Sequence, residues 1–520
     1  MKKLKQAKIT ALILMILMVS MFAALVLSTV SCGGQNPGNP DTPAEDAGEN
    51  SGGSDNTVVG EDADETAVSK SGSVEPRPDY DLPVNDLNGY KFRIISRSVA
   101  ANSHWWNYDI IAEEENGDPI NDAVYQRNKT IEERYNISIA NTHDNDVYGK
   151  ANKSVKAGSD DYDLVVIGLN GGQENLTTQG MLWDLNNLPH IDLTKAWWDQ
   201  KAVEQLSIHK KLFATSCDLT IRDKDAIIIL TFSKKLVKDY ELEDPYQLVL
   251  SGAWTFDKMF GMMKTVSIDL NSDGKINDED QIGLLTQIKH SRALFNAAGE
   301  YMSKTNSEGV PVITLYSDRA VDICDKIREM QGNPDYSINA DTYGGKYADV
   351  WDGFQVPMFS ENRALFYHAG MNRVTLLRTM ETDFGILPPP KYDEQQDRYY
   401  AYVDSWCTSA VSVPITVPNP ETTGLILEAL TYESRYVLLP AYYDITLKTK
   451  FARDEESAAM IDIILGNRLY DLGDIYNWGA TGIFDSIANG KDTLTTFWDK
   501  NAGRIETAMQ KTIAKFDELD

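Results

Sequence analysis

Three apolar runs of six or seven residues, separated by segments with helix start signals, constrain this 520-residue chain more than any other feature. Tyr90 to Ser96 (YKFRIIS), Asn136 to Asn141 (NISIAN) and Tyr162 to Gly168 (YDLVVIG) read as strands. Between them, Asp118-Pro119 opens a helix reaching about Tyr135, since Asp suits the N-cap and Pro the first helical position; Tyr148 to Ala157 reads as a shorter helix. Strand-helix-strand alternation predicts a parallel sheet covered by helices, because parallel neighbours need a crossover. The third run ends in Gly168-Leu169-Asn170-Gly171-Gly172, at the carboxyl end of a strand, where open α/β sheets hold their ligands.

Downstream, Ala226 to Phe232 (AIIILTF), Arg363 to Tyr367, Phe384 to Leu387 and Ala410 to Val413 read as further strands, and Thr255 caps a helix. The C-terminal third reads as mostly helical. Asn419-Pro420 opens one helix, Asp454 another with Met460, Ile461, Ile464 and Leu465 on one face, and Ile505, Met509, Ile513 and Phe516 stripe the last. The length suits two or more domains, and 42% hydrophobic residues with ten tryptophans supply their cores. No internal repeat is visible, which argues against solenoids and propellers.

The N-terminus has a different character. Lys2, Lys3, Lys5 and Lys8 precede an apolar stretch from Ile9 to Val30, and Ser31-Cys32 closes it. Leu27 to Cys32 resembles a bacterial lipoprotein processing site, although Thr29 stands where leucine is usual; the resemblance implies a signal peptide over 1–31 and a diacylglycerol on Cys32. An uncleaved membrane anchor is the alternative, and either tethers the chain outside the cytoplasm. Residues 32–80, rich in Gly, Asn, Asp, Ser and Pro, read as a disordered polar linker, long enough to hold the folded part some tens of ångströms from the membrane at ~5–6 Å × √n. Removing the four leader lysines, which have no acid beside them, takes the formal net charge from −29 to −33. So acidic a surface excludes nucleic acid as an expected partner. Cys217, Cys324 and Cys407 lack metal-ligand spacing and read as buried small hydrophobes, with one disulfide as the alternative.

The most specific chemical pattern is Asp269-Leu-Asn-Ser-Asp-Gly-Lys-Ile-Asn-Asp-Glu-Asp280. Positions 1, 3, 5 and 12 are Asp269, Asn271, Asp273 and Asp280, with Gly274 at the sharp bend, the oxygen-ligand spacing of an EF-hand-type calcium loop. The Lys275 carbonyl would supply a backbone oxygen, and Asn277 would act through water. Asp280 is shorter than the usual Glu at position 12. A single copy followed by a strand-like run (QIGLLTQIKH) fits a structural Ca2+ clip better than a sensor or a duplicated cohesin-binding module.

YDLVVIG, MLWDLNNLP, a following WWD, AIIILTFSKKL, SGAWTFDK, FGILPPPKYDEQQ, SAVSVPIT and PETTGLILEAL stand in an order that resembles extracellular solute-binding proteins of carbohydrate ABC importers, over about residues 85–515. The resemblance implies a two-lobe, periplasmic-binding-protein-like α/β fold (type II) with a helix-rich second lobe: 82–222 plus 383–430 as lobe 1, 223–382 plus 431–520 as lobe 2. It also implies a monomeric receptor that takes a sugar in its cleft and docks on transmembrane permease subunits. Flat aromatic faces and planar polar groups are what sugar recognition needs. The strand tips offer Trp105, Trp106 and Trp406 as faces, and Asn170, Gly171, His368 and Asp404 as polar edges; each also has a purely structural reading. Trp197 and Trp198 are expected to pin the first hinge, and Trp254 to anchor packing. No nucleophile elbow, zinc-protease or phosphate-loop motif is present, so the chain reads as no enzyme; a glycoside hydrolase and a calcium-clipped adhesive protein are the alternatives.

Overall fold

A computed structural model describes residues 77–79, 82–102, 104–443 and 455–519. The leader, Cys32 and the linker before residue 77 lie outside the described residues. Among the described residues no helix is long and apolar enough to cross a membrane.

The three runs that open the folded part form adjacent strands. Tyr90–Arg97 lies centrally, parallel to Ile137–Asp144 on one side and to Leu164–Ile167 on the other. The crossover helices form where their caps dictate. Asp118 accepts hydrogen bonds from the N–H groups of Ile120 and Asn121 to start Pro119–Tyr135, and Asn136 (φ 49°) ends it in the left-handed region, where Asn is tolerated. The parallel pairing expected of these three strands is present, and Ala410–Ser412 adds an antiparallel edge beside Leu164–Ile167. Helical crossovers enforce parallel pairing only between the strands they join, and this strand arrives from far downstream.

A second, five-stranded sheet runs in the order Phe384–Leu387, Ile228–Ser233, Ala364–Gly370, Ile282–Thr286, Ser337–Asn339. Its first two junctions are antiparallel and its last two parallel. Four of these strands are buried along their whole length, so they read as continuous apolar runs without alternation. Phe384–Leu387 pairs with Ile228–Ser233 and so belongs to this sheet, not to the lobe that a boundary at 383 would give it. A four-residue strand says nothing locally about which sheet it joins.

Two segments cross between the sheets side by side. Thr215 bridges Val411 and Ile227 bridges Val403, both antiparallel, and the Asp404 N–H donates to the Ala226 carbonyl at 3.0 Å. The first crossing contains a buried charged turn, Arg222–Asp225, satisfied by ion pairs: Arg222 with Asp225 at 2.8 Å, Lys224 with Asp223 at 3.0 Å and with Asp218 at 3.3 Å. Cation and anion are buried together, because either alone would be costly there.

Helices dominate the C-terminal part. Met460, Ile461, Ile464 and Leu465 are buried on Glu455–Gly466, and Ile505, Met509, Ile513 and Phe516 on Leu494–Glu518, as their spacing predicts. Asp454 lies outside the described residues. The last helix ends against the first half of the chain, with Phe516 edge-on to Phe213 at 5.6 Å and Lys211 Nζ donating to the Phe516 carbonyl. Trp197 and Trp198 are buried and give their indole N–H groups to the two oxygens of Glu428, each at 2.9 Å. Trp254 is fully buried and donates to the Pro388 carbonyl. Cys217, Cys324 and Cys407 are buried free thiols. Arg77, which composition places in the linker, is already docked: its guanidinium pairs with Glu433, donates to the Tyr432 hydroxyl at 3.1 Å and covers that ring at 5.0 Å.

Candidate functional site

Where the second crossing segment leaves Val403, it makes a turn held from both sides. Asp404 Oδ1 accepts the N–H groups of Trp406 and Cys407, each at 3.0 Å. On the carbonyl side, Arg97 at the tip of Tyr90–Arg97 donates to Trp406 O (2.8 Å), Cys407 O (2.9 Å), Thr408 O (2.7 Å) and Ser409 Oγ (2.9 Å). Thus the turn's donors are taken by an acid and its acceptors by a base. The side chain left outside is Trp406, 42% exposed.

Asp404 Oδ2 faces the second sheet, where Lys289 lies 3.4 Å and Arg292 3.3 Å away, just beyond the carboxyl end of Ile282–Thr286. Burial alone would raise the Asp404 carboxyl, but Lys289, Arg292 and the Cys407 N–H outweigh burial and hold it well below the usual range. Arg292 also pairs with Asp474 at 2.6 Å, and Asp474 accepts hydrogen bonds from Tyr402 and Ser405.

The glycine turn after the third strand packs onto the same place. Asn170 donates its backbone N–H to Ser405 O at 3.2 Å and its amide to Asp474 O at 3.4 Å. A Cβ on Gly168 would stand 2.5 Å from the Trp406 carbonyl, so only glycine permits this approach; one on Gly171 would touch the Trp406 ring at 3.9 Å. Asn170, Gly171, Asp404 and Trp406 are therefore brought together, and Arg97, Lys289 and Arg292 complete the group; but Asp404 is 1% exposed with both oxygens engaged, so it braces the turn and is not the free polar edge expected of it.

The remaining expected residues sit apart. Trp105 is 8% exposed, and its ring edge lies 3.4 Å from where a Cβ of Gly370 would be. Trp106 is half-buried between Tyr108 (5.7 Å) and His143 (5.6 Å). His368 is fully buried beside His290, their ring centroids 5.0 Å apart; its Nε2 has no hydrogen-bond partner, and burial lowers its imidazole to about 3. In this structure His368 lies beneath the surface and cannot meet a ligand without a rearrangement.

Sequence reasoning missed a second meeting point between the halves. His104, in the loop after the first strand, lies edge-on to Trp351 at 6.4 Å, 3.6 Å from Asp352 and 3.3 Å from Arg373, which itself pairs with Asp352 at 2.6 Å. Trp351 and Trp406 are the exposed tryptophans among the described residues. Among the described residues, His104, Asp349 and Asp352 alone form a group of three with ligating atoms within 4.8 Å of one another, and the Arg373 cation already faces it.

The 269–280 loop holds itself together. Asp269 accepts from the N–H groups of Ser272 (2.6 Å) and Gly274 (2.8 Å), Asn271 from Asp273, and Asp273 from Lys275. Asp280 closes the neck, accepting from Leu270 and Asn277 at 2.9 Å each, beside an Ile268–Gln281 bridge. Gly274 takes φ 83°, as the bend requires. The donors are oxygens with lone pairs to spare, which suits a hard cation.

Comparison with known proteins defines the class at the level of fold. No family model matches the chain, and no curated relative matches it. Among solved structures, a cyclo/maltodextrin-binding protein complexed with maltotetraose is similar at TM-score 0.51 and 15% identity, over 82% of this chain and 96% of that one. UspC of M. tuberculosis is similar at TM-score 0.51 and 13% identity, over 82% of this chain and all of that one. The chain has their fold, the two-lobe periplasmic-binding-protein-like architecture that its sheets and paired crossings build.

Proposed function

We propose that this chain is an extracytoplasmic solute-binding protein that captures a carbohydrate, in particular an oligosaccharide, between two lobes and delivers it to the permease of an ABC importer. The observation that carries this reading is Trp406: an exposed indole on a turn that Arg97 braces from the first sheet and Asp404 ties to Lys289 and Arg292 beside the second, with the Asn170 turn packed against it. A flat aromatic face beside planar and charged hydrogen-bonding groups suits the C–H face and hydroxyls of a pyranose. The similar cyclo/maltodextrin-binding protein, described as complexed with maltotetraose, supports the choice of ligand class.

Lobe 1 in this reading comprises about 82–222 and the chain from the second crossing to 430, lobe 2 the rest. Ligand contacts from both lobes favour closure by differential affinity for the closed state, and the His104, Asp352 and Arg373 contact stabilises it. Cys32 carries the lipid that tethers a monomer to the outer face of the membrane. ATP is hydrolysed by a partner, and the guest leaves unaltered. The 269–280 loop takes Ca2+ as a structural clip through Asp269, Asn271, Asp273, the Lys275 carbonyl and Asp280.

Thermal unfolding of the purified protein against a glycan panel tests this. One oligosaccharide should raise Tm, by about 2.7 kcal/mol of stabilisation at a hundredfold excess over Kd, and be recovered intact. Chelator should lower Tm without abolishing that binding. Cleavage of the guest would indicate a hydrolase, and no response to any glycan would defeat the receptor reading.

A further inference from the structure

Arg97 was singled out by no motif, yet its environment is specific. It is buried (7% exposed) at the end of the first strand, and among the described residues no carboxylate forms an ion pair with it. Burial lowers it to about 10, which leaves it a cation at neutral pH. Three of its four hydrogen bonds go to successive carbonyls, Trp406, Cys407 and Thr408, and the fourth to Ser409 Oγ, which also accepts from Asn107 at 3.0 Å. The guanidinium carbon lies 5.7 Å from the centroid of the Trp406 ring. Placing an unpaired cation in the interior is expensive, and what it obtains here is the fixed geometry of one turn.

That turn carries the exposed indole. A platform already in its bound orientation loses little freedom when a ligand settles, so rigidity converts into affinity. We infer that Arg97 is the positioning residue of the binding platform: it acts on the ligand through Trp406, by locking the 406–408 carbonyls and the Ser409 hydroxyl, and touches no ligand itself. The inference rests on the sugar-receptor reading for its consequence, and on geometry alone for its mechanism. Lys is no substitute, because its three donors lack the planar fork that reaches several carbonyls at once.

Two measurements decide it. The first needs no ligand: the protein is labelled with 5-fluorotryptophan and the Trp406 resonance assigned by Trp406→Phe. That resonance should be single and narrow in the wild type, and broadened or split in Arg97→Lys. If Arg97→Lys does not fold, Ser409→Ala, which removes one of the four acceptors, should give partial broadening. An unchanged Trp406 resonance in the folded variant overturns the inference. The second is a double-mutant cycle with maltotetraose as probe. Arg97→Lys should weaken binding about tenfold alone and less than about twofold in a Trp406→Ala background. A tenfold loss that persists without the indole overturns the inference, since a merely structural role would act whether or not Trp406 is present. Maltotetraose binding to no form of the protein counts against the sugar reading, and the fluorine spectra then decide the role of Arg97 alone.

Discussion

The 269–280 loop and the 404–409 turn use one device in two settings. In each, an aspartate gathers backbone N–H groups: Asp280 those of Leu270 and Asn277, Asp404 those of Trp406 and Cys407. The loop takes most of its N–H partners from its own twelve residues, seven of which are exposed, although Asp280 is buried and Asp278 reaches out to Lys346 and Tyr347. The turn draws its partners from Arg97, Lys289 and Arg292, and all of it but Trp406 is buried. A loop in water can return its N–H groups to solvent when an acid is lost; a turn between two sheets cannot.

The largest test of this contrast is Asp404→Ala. It leaves Arg292 short of a counter-charge and two N–H groups unpaired, so urea unfolding should show a loss of about 3–5 kcal/mol. A loss no greater than that of a loop variant would end the distinction between the two sites.

Next comes pH. His368, buried near the same crossing, is held by burial at about 3, below the unfolded value, so as the solution acidifies the folded state binds fewer protons than the unfolded chain. Its contribution is complete above about pH 6.5 and is lost as pH falls toward 3. Between pH 7 and pH 5 the wild type should therefore lose about 2 kcal/mol more than His368→Gln, measured by urea unfolding at both values. Equal losses would mean that the imidazole is solvated in the folded protein.

The smallest effect belongs to the loop. Without calcium, Asp280→Ala should cost about 1–2 kcal/mol, the range for losing a side chain that caps backbone N–H groups. A cost equal to that of Asp404→Ala would show that the loop, like the turn, cannot return the freed N–H groups to water.

How far each region was legible follows from the same difference. The bend of the loop at Gly274 could be read because its pattern is contiguous. The strands Tyr90–Arg97 and Leu164–Ile167 and the Asp118 cap could be read for the same reason, since period and capping act over a few residues. At the turn, Asp404 and Trp406 were legible as a pair at a strand tip, but Arg97, Lys289 and Arg292 come from elsewhere in the chain. Lys289 and Arg292 had a usable signal: they follow QIGLLT, a strand whose carboxyl end lies beside the same turn. Trp351 had none, because a tryptophan at the start of a five-residue helical turn reads alike whether buried or exposed. The sheet membership of Phe384–Leu387 was also hidden, since pairing is decided by partners far away in sequence.

Arg77 has a mechanical consequence. It is fastened to Pro420–Tyr436, whose Ser434 accepts from Arg127 on the Pro119–Tyr135 helix beside the first sheet. Any traction arriving along the chain from before residue 77 is thus delivered to one half of the molecule. A pull on the chain there would reach the Pro119–Tyr135 helix and the first sheet before it reached the five-stranded sheet.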